Sequence, residues 1–450
     1  MKRLFGTDGV RSIAGQYPLD ALTIRVLGRA LVELLEEERL EPRVLIGRDT
    51  RESGPWIEQT LAAGIEAGGG ETVSAGIIPT SAVSFLTRKH RFSAGIVISA
   101  SHNPYRDNGI KIFSSKGIKI SDEWEMRLER AILEGKRKTA PLSDGKAVCP
   151  RAELANDYED FLIDQLPKAR IPEDLTVVLD CANGASSVIA PTVFFRLGFR
   201  VIPIFNVPDG KNINRRCGSL HPHNLARHVV AARADLGIAF DGDADRALWV
   251  DEKGRILNGD HTLFVQARFM KDRGRLKSGA VVATTMSNMG LEKGLSEMGV
   301  ELVRTRVGDK YVLEKMLEIG ANLGGEQSGH TIFLDDCPTG DGILTSLRML
   351  EAMLAAQLSF SGLADGLKEF PQVLHNVRVR EKLDFKQYPE IVQTMDEIKA
   401  ALAGAGRLDV RYSGTEPLAR VMIEGEDLGR IEELAGRMTS VIGKYLGEQQ

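Results

Sequence analysis

One unit recurs three times along this 450-residue chain: a short apolar strand, a polar turn built from Gly, Ser or Asn, and then a helix. Arg43-Val-Leu-Ile-Gly-Arg-Asp49 runs into Ser53-Gly-Pro-Trp and a helical stretch, with Ser53 placed as its cap. Leu175–Asp180 leads through Cys-Ala-Asn-Gly184 into a second helix, and Ala280–Met286 leads through Ser287-Asn288 into a third. Continuously apolar strands that alternate with helices are covered on both faces, which predicts parallel strand pairing within α/β domains. A chain of this length exceeds what one core sustains. Breaks fall in the charged, Pro- and Gly-bearing stretch 136–151, near Gly254–Gly259, and at Ser359–Pro371. Beyond them, strands are expected at Val373–Val379, Leu408–Arg411 and Arg420–Glu424, with helices between and after. The expected organisation is domain I over 1–150, domain II over 151–255, domain III over 256–368 and a smaller α+β domain IV over 369–450.

Composition narrows the function classes. With 43% hydrophobic and 27% charged residues the chain is an ordinary globular protein. Its net charge of -4 argues against nucleic acid as a partner, so an anionic substrate needs locally placed Arg and Lys. Cys149, Cys181, Cys217 and Cys337 form no CxxC pair, which suggests scattered thiols in a reducing compartment. The amino terminus, Met1-Lys-Arg-Leu-Phe-Gly, lacks the apolar stretch of a signal peptide, and no segment has the apolar length of a membrane span. A cytoplasmic protein without membrane contact is expected.

Four segments carry chemistry. After the apolar run Ala94–Ala100 comes Ser101-His102-Asn103-Pro104, which cannot continue a strand because Pro104 lacks a ladder donor. Ser101 is therefore displayed at the carboxyl end of a strand, where α/β folds place their reactive groups. After the strand Leu236–Phe240 comes Asp241-Gly-Asp243-Ala-Asp245-Arg246. Three carboxylates at alternate positions of an extended loop point to one side, and their mutual repulsion calls for a hard divalent cation. An EF-hand matches the spacing of Asp241, Asp243, Asp245 and Glu252, but its sixth position requires glycine where this chain has Arg246. Ala247–Val250 reads as a strand, not a flanking helix.

Gly324-Gly-Glu326-Gln-Ser328-Gly-His330 combines flexible backbone with groups suited to sugar hydroxyls, although a hairpin turn explains the same spacing. Arg411-Tyr-Ser413-Gly414-Thr415-Glu-Pro417 offers a guanidinium fork, two hydroxyls and backbone N–H groups, the parts of a phosphate cradle. Ser-Gly-Thr is equally an ordinary turn. Arg11, in Phe5-Gly-Thr-Asp-Gly-Val-Arg11, and the segment Arg306–Lys310 are further anion binders or surface charges.

Taken in order, Phe5–Arg11, Ser99–Pro104, Asp241–Arg246, Gly325–His330 and Arg411–Pro417 resemble the α-D-phosphohexomutases in kind, sequence and spacing. Gln327 in the fourth motif resembles the glucosamine-specific subgroup, which makes a phosphomannomutase or phosphoglucomutase the alternative. The resemblance implies three similar mixed-sheet α/β domains and a small α+β domain around a central active-site cleft. It implies that Ser101 carries a phosphoryl group and that Asp241, Asp243 and Asp245 hold one magnesium ion per subunit, completed by an oxygen of phosphorylated Ser101. Glu326 and Ser328 match the sugar-binding loop. Arg411, Ser413, Gly414 and Thr415 match the phosphate-binding loop, with Arg420 beside it and Arg306 and Lys310 as further substrate contacts.

The reaction so implied is a reversible isomerisation of glucosamine 6-phosphate to glucosamine 1-phosphate that feeds UDP-N-acetylglucosamine and cell-wall synthesis, through a sugar bisphosphate that serves as intermediate or activator. Because Ser101 is fixed, the intermediate must turn around between two transfers, and a hinged small domain would permit this. Lys111 and His330 are the candidates for proton transfer, with Arg11, His102 and Arg246 as electrostatic helpers. The implied partner is a small sugar phosphate, with the protein a monomer or homodimer. A metal-dependent phosphatase and a non-catalytic sensor are the other classes weighed.

Overall fold

The computed structural model describes residues 4–6, 8–135, 149–167, 171–402, 404–413 and 417–448. Most of the break expected over 136–151 lies outside these residues. The chain forms two compact units, one of Met1–Thr284 with Val303–Asp365 and one of Thr285–Leu302 with Gly366–Gln450. Among the described residues the strands make four sheets.

In the first unit, the first sheet contains β1 (Phe5–Gly6), β2 (Gly9–Ile13), β3 (Arg43–Arg48), β4 (Glu71–Ile77), β5 (Ala94–Ile98) and β6 (Asp107–Ser114) in the order β1-β2-β6-β5-β3-β4. The second contains β7 (Thr176–Asp180), β8 (Arg200–Ile204), β9 (Leu236–Phe240), β10 (Ala247–Asp251) and β11 (Ile256–Leu257) in the order β11-β10-β9-β7-β8. The third contains β12 (Ala280–Thr284), β13 (Glu301–Thr305), β14 (Leu323–Gly325) and β15 (Thr331–Phe333) in the order β13-β12-β14-β15.

All three sheets are mixed and share one plan. A parallel pair stands at the centre, β3 with β5, β7 with β9, and β12 with β14. The second strand of each pair then returns antiparallel, as β6, β10 and β15. Strand by strand, the apolar runs fall where the sequence indicates, and the parallel pairing expected of them holds for each central pair and for β4 and β8 beside them, but not for the strand that follows each central pair. The physical reason is connection length. Residues 99–106, 241–246 and 326–330 are too few to hold a crossover helix, so the chain can only double back. All three short returns carry site motifs.

Two local expectations change. Ser53 does occupy the cap position of the helix Gly54–Ala67 but makes no side-chain capping bond, because its hydroxyl accepts from Asn108 Nδ2 at 2.8 Å. The aspartate loop is a turn and not an extended segment, with Ala244 in the left-handed region at φ 55°. It is packed on the β7 turn. Gly184 sits so close that a Cβ there would meet the Gly242 carbonyl oxygen at 2.3 Å, while Ala185 N–H donates to that oxygen at 2.8 Å.

In the second unit, β16 (Gln372–Arg378), β17 (Gly406–Tyr412) and β18 (Leu418–Gly425) form an antiparallel sheet with β18 in the middle. The helix Leu428–Leu446 buries Ile431, Leu434, Met438 and Ile442 in the core shared with Ile391 and Ile398 of the helix Pro389–Leu402. Their spacing by three, four and four is the apolar stripe of an amphipathic helix.

Gly184→Ala should destabilise the protein by about 1–3 kcal/mol, since the added methyl meets backbone that cannot yield. Thermal unfolding checks this; a wild-type midpoint would show that the two turns are not in contact.

Candidate active site

Ser101 follows β5 in the left-handed region at φ 51°, a conformation costing a non-glycine residue about 1 kcal/mol. Its surroundings hold it there. Arg51 is buried, pairs with Asp49 at 2.9 Å, and donates to the carbonyl oxygens of Ser101 and Asn103 at 2.9 Å each, Asp107 at 3.0 Å, and Pro104. Asn214 Nδ2 donates to two of the same oxygens, Ser101 at 2.9 Å and Asn103 at 3.1 Å. Asp49 accepts from Ser99 Oγ at 2.6 Å, and that hydroxyl accepts from Ser101 N–H at 2.9 Å. The loop is thus fastened by its backbone, leaving the Ser101 hydroxyl for chemistry. That hydroxyl is buried and not exposed as its strand-end position suggested: it donates to Asp241 Oδ2 at 2.7 Å and lies 3.3 Å from His102 Nδ1.

One oxygen from each of Asp241, Asp243 and Asp245 lies within 4.8 Å of the others, and all three residues are buried. Burial, with the neighbouring charges of Asp245 and Asp243, drives the Asp241 pKa well above the carboxylate range. For Asp245 burial acts in the same direction but is outweighed by Lys111, His330 and Arg246, which hold it well below that range. Asp243 Oδ1 and Asp245 Oδ1 are buried without a hydrogen-bond partner. Hard oxygens crowded together with two lone pairs unanswered fit a hard divalent cation.

The other sequence-derived residues of the first unit distribute around this cluster. Lys111, buried on β6, donates to Asp243 at 2.9 Å and lies 3.1 Å from Asp8 and 3.6 Å from Asp245. Burial opposes its charge, but these carboxylates win and raise its pKa well above that of a free lysine, so it enters as a proton-bearing cation. Arg246 donates its N–H to Asp241 Oδ1 at 3.2 Å and places its guanidinium 3.3 Å from His102 Nδ1. Burial, then Arg246 and Arg11, lower the His102 pKa to about 4. His102 is thereby held toward its neutral form beside Ser101 and Arg246.

His330 is buried, with Nδ1 at 3.7 Å from Asp245 and Nε2 accepting from Gly340 N–H at 3.1 Å. Burial disfavours its charge, yet Asp245, Asp309 and Glu326 together raise its pKa. Arg11, on β2, pairs with Asp8. Glu326 accepts from Gly308 N–H at 3.1 Å, whereas Ser328 is exposed at the tip of the β14–β15 return, so this segment is both a hairpin and a site loop. Arg306 lies 4.0 Å over the Tyr311 ring and Lys310 pairs with Asp122.

In the second unit, Arg411 and Arg420 face each other across β17 and β18. Arg411 Nε donates to Asp409 at 3.2 Å, and the Ser413 carbonyl accepts from Lys382 Nζ at 2.7 Å. Gly414 and Thr415 lie outside the described residues.

Several site residues were missed from sequence. Asp8 and Asp309 sit inside segments searched for cations and passed over as anions; with Lys119 they form the chain Asp8–Lys119–Asp309, whose second link is 2.7 Å. Asp49 and Arg51 follow β3, beside the Ser101 loop, and a signal was there in the repeated strand–turn–helix unit. Nothing in the sequence marks Lys119 or Asn214.

Comparison with known proteins places this geometry. Models of the phosphoglucomutase/phosphomannomutase alpha/beta/alpha domains I, II and III match residues 2–139, 156–254 and 258–370, and that of the C-terminal domain matches 374–441. The chain belongs to this family and is an isomerase of the mutase type. A phosphoglucosamine mutase from Koribacter versatilis (strain Ellin345) is 48% identical, covering 99% of this chain and 98% of its own. Another, from Solibacter usitatus (strain Ellin6076), is 45% identical over 99% of this chain and 100% of its own. A crystal structure of a phosphoglucomutase/phosphomannomutase family protein from Burkholderia thailandensis superposes with a TM-score of 0.81 at 25% identity, covering 98% of each chain. No helix among the described residues is long and apolar enough to cross a membrane.

Arg51→Lys cannot reproduce the fork that holds four carbonyls. It should lower kcat about a hundredfold through misplacement of the Ser101 loop, with KM for the sugar phosphate nearly unchanged. Steady-state kinetics check this; an unchanged kcat would show that the fork does not position Ser101.

Proposed function

We propose that the chain interconverts glucosamine 6-phosphate and glucosamine 1-phosphate, with Ser101 as the residue that carries the phosphoryl group. The observation that supports this most is the Ser101 hydroxyl held 2.7 Å from Asp241 at the edge of three buried carboxylates, two with unanswered oxygens. The choice of glucosamine rests on relatives of that name aligned over their whole length and on Gln327 in the sugar loop.

In the forward direction the sugar's 1-hydroxyl attacks the phosphorus on Ser101. A new O–P bond forms, the bond to Ser101 Oγ breaks, the sugar proton passes to a base, and Ser101 Oγ takes a proton. The product is the 1,6-bisphosphate. After it turns around, Ser101 attacks the 6-phosphate and the chain releases glucosamine 1-phosphate. Phosphoryl transfer of this kind depends on positioning and on stabilisation of negative charge. Asp241, Asp243 and Asp245, with an oxygen of phosphorylated Ser101, would hold magnesium, which would neutralise charge on the transferred group.

Lys111, a cation whose charge the surrounding carboxylates hold, and His330 are the proton-transfer candidates. Arg11, His102 and Arg246 are the electrostatic helpers. Glu326, Ser328, Arg306 and Lys310 address the sugar, and Arg411, Ser413, Gly414, Thr415 and Arg420 its distal phosphate. The four domains proposed at 1–150, 151–255, 256–368 and 369–450 are supported by four separate sheets. A cytoplasmic monomer or homodimer completes the reading.

Turnover of glucosamine, glucose and mannose 6-phosphates by one preparation tests the substrate. Glucosamine 6-phosphate should lead in kcat/KM by about tenfold or more; faster use of either other sugar would make the chain a phosphoglucomutase or phosphomannomutase. Chelation should abolish activity and added magnesium restore it, whereas activity indifferent to chelator would remove the metal from the account.

A further inference from the structure

Asp243 is tied through both its side chain and its backbone to an element of the first sheet's domain. The helix Thr80–Lys89 starts directly after Pro79, which makes no side-chain cap. Its first residue, Thr80, is buried and grips Asp243 twice: its N–H donates to the Asp243 carbonyl at 3.0 Å, and its hydroxyl to Asp243 Oδ2 at 2.6 Å. Lys111 Nζ donates to the same Oδ2 at 2.9 Å. Oδ2 is therefore answered twice and Oδ1 not at all. Ser81 cannot stand in for its neighbour, because its hydroxyl is engaged with Tyr158 OH at 2.9 Å.

A carboxylate fixed in this way can offer a cation only one oxygen. That restriction separates two hard cations. Magnesium demands near-octahedral geometry from single oxygens, whereas calcium accepts six to eight and readily takes both oxygens of one carboxylate. Groups that hydrogen-bond a metal ligand fix its orientation and tune the site. We propose that Thr80 is a positioning residue that sets cation preference, holding Asp243 in a one-oxygen presentation that favours magnesium over calcium. The inference rests on the reading of the aspartate cluster as a metal site.

The test is titration of the full-length protein phosphorylated on Ser101 with magnesium and, separately, with calcium by isothermal calorimetry, for wild type, Thr80→Val and Thr80→Ser. Valine keeps the volume and the N–H but removes the hydroxyl. The ratio of magnesium to calcium affinity should fall about tenfold in Thr80→Val, as for other groups that orient a metal ligand, and Thr80→Ser should restore it. An unchanged ratio in Thr80→Val, or an equal loss for both cations, overturns the inference, since a merely structural role weakens both alike. Thr80→Ala is read by the same criterion if the valine variant does not fold. Failure of the wild type to bind magnesium would instead sink the metal-site reading itself.

Discussion

Like charges confined together away from water govern this structure. Asp241, Asp243 and Asp245 are buried within a few ångströms, and Asp8 and Asp309 lie close by. An isolated buried carboxylate would cost far more than any one domain's stability, so each must be neutralised, paired or protonated. Lys111, Lys119, Arg11 and Arg246 supply the counter-charges, and the balance is uneven: Asp8 and Asp245 are held as anions while Asp241 is pushed toward its protonated form. Such a cluster is unfavourable for stability alone. It is favourable where a cation and a phosphoryl group must be received, because the field is in place before they arrive.

That field can be assembled because the three sheets of the first unit repeat one design. In each, a central strand turns back antiparallel through a short return, and the three returns carry Ser101, the aspartates, and Glu326 with His330. Neighbouring returns are stitched through backbone. Ala247 N–H donates to the Gly329 carbonyl at 3.2 Å, and the aspartate return is further tied to the helix Gly342–Ala356, whose Gly342 N–H donates to the Ala244 carbonyl at 2.9 Å. Backbone joints of this kind tolerate little displacement, which suits a site whose reacting atoms must be placed to a fraction of an ångström.

Sequence made the strands, the α/β class and the aspartate cluster legible, because each is a local pattern. The run Leu236–Phe240 and the aspartates after it need no partner to be recognised. What stayed hidden was set by distant residues. Thr80 lies 163 positions from the aspartate it grips, and Lys119 lies 190 from Asp309. Arg51 is buried among carbonyls fifty or more residues away. The direction of the returns β6, β10 and β15 was not in the apolar runs, which report burial of both faces and not the sense of the neighbouring strand. Only the shortness of the connections carried that information.

The central claim is that Ser101 is the residue that holds the phosphoryl group. Incubation of the protein with a sugar 1,6-bisphosphate labelled at phosphorus, followed by digestion and fragmentation mass spectrometry, locates the label directly. The account predicts one labelled residue, Ser101. Label on any other side chain, or an enzyme that turns over sugar phosphate while Ser101 never carries label, would contradict it.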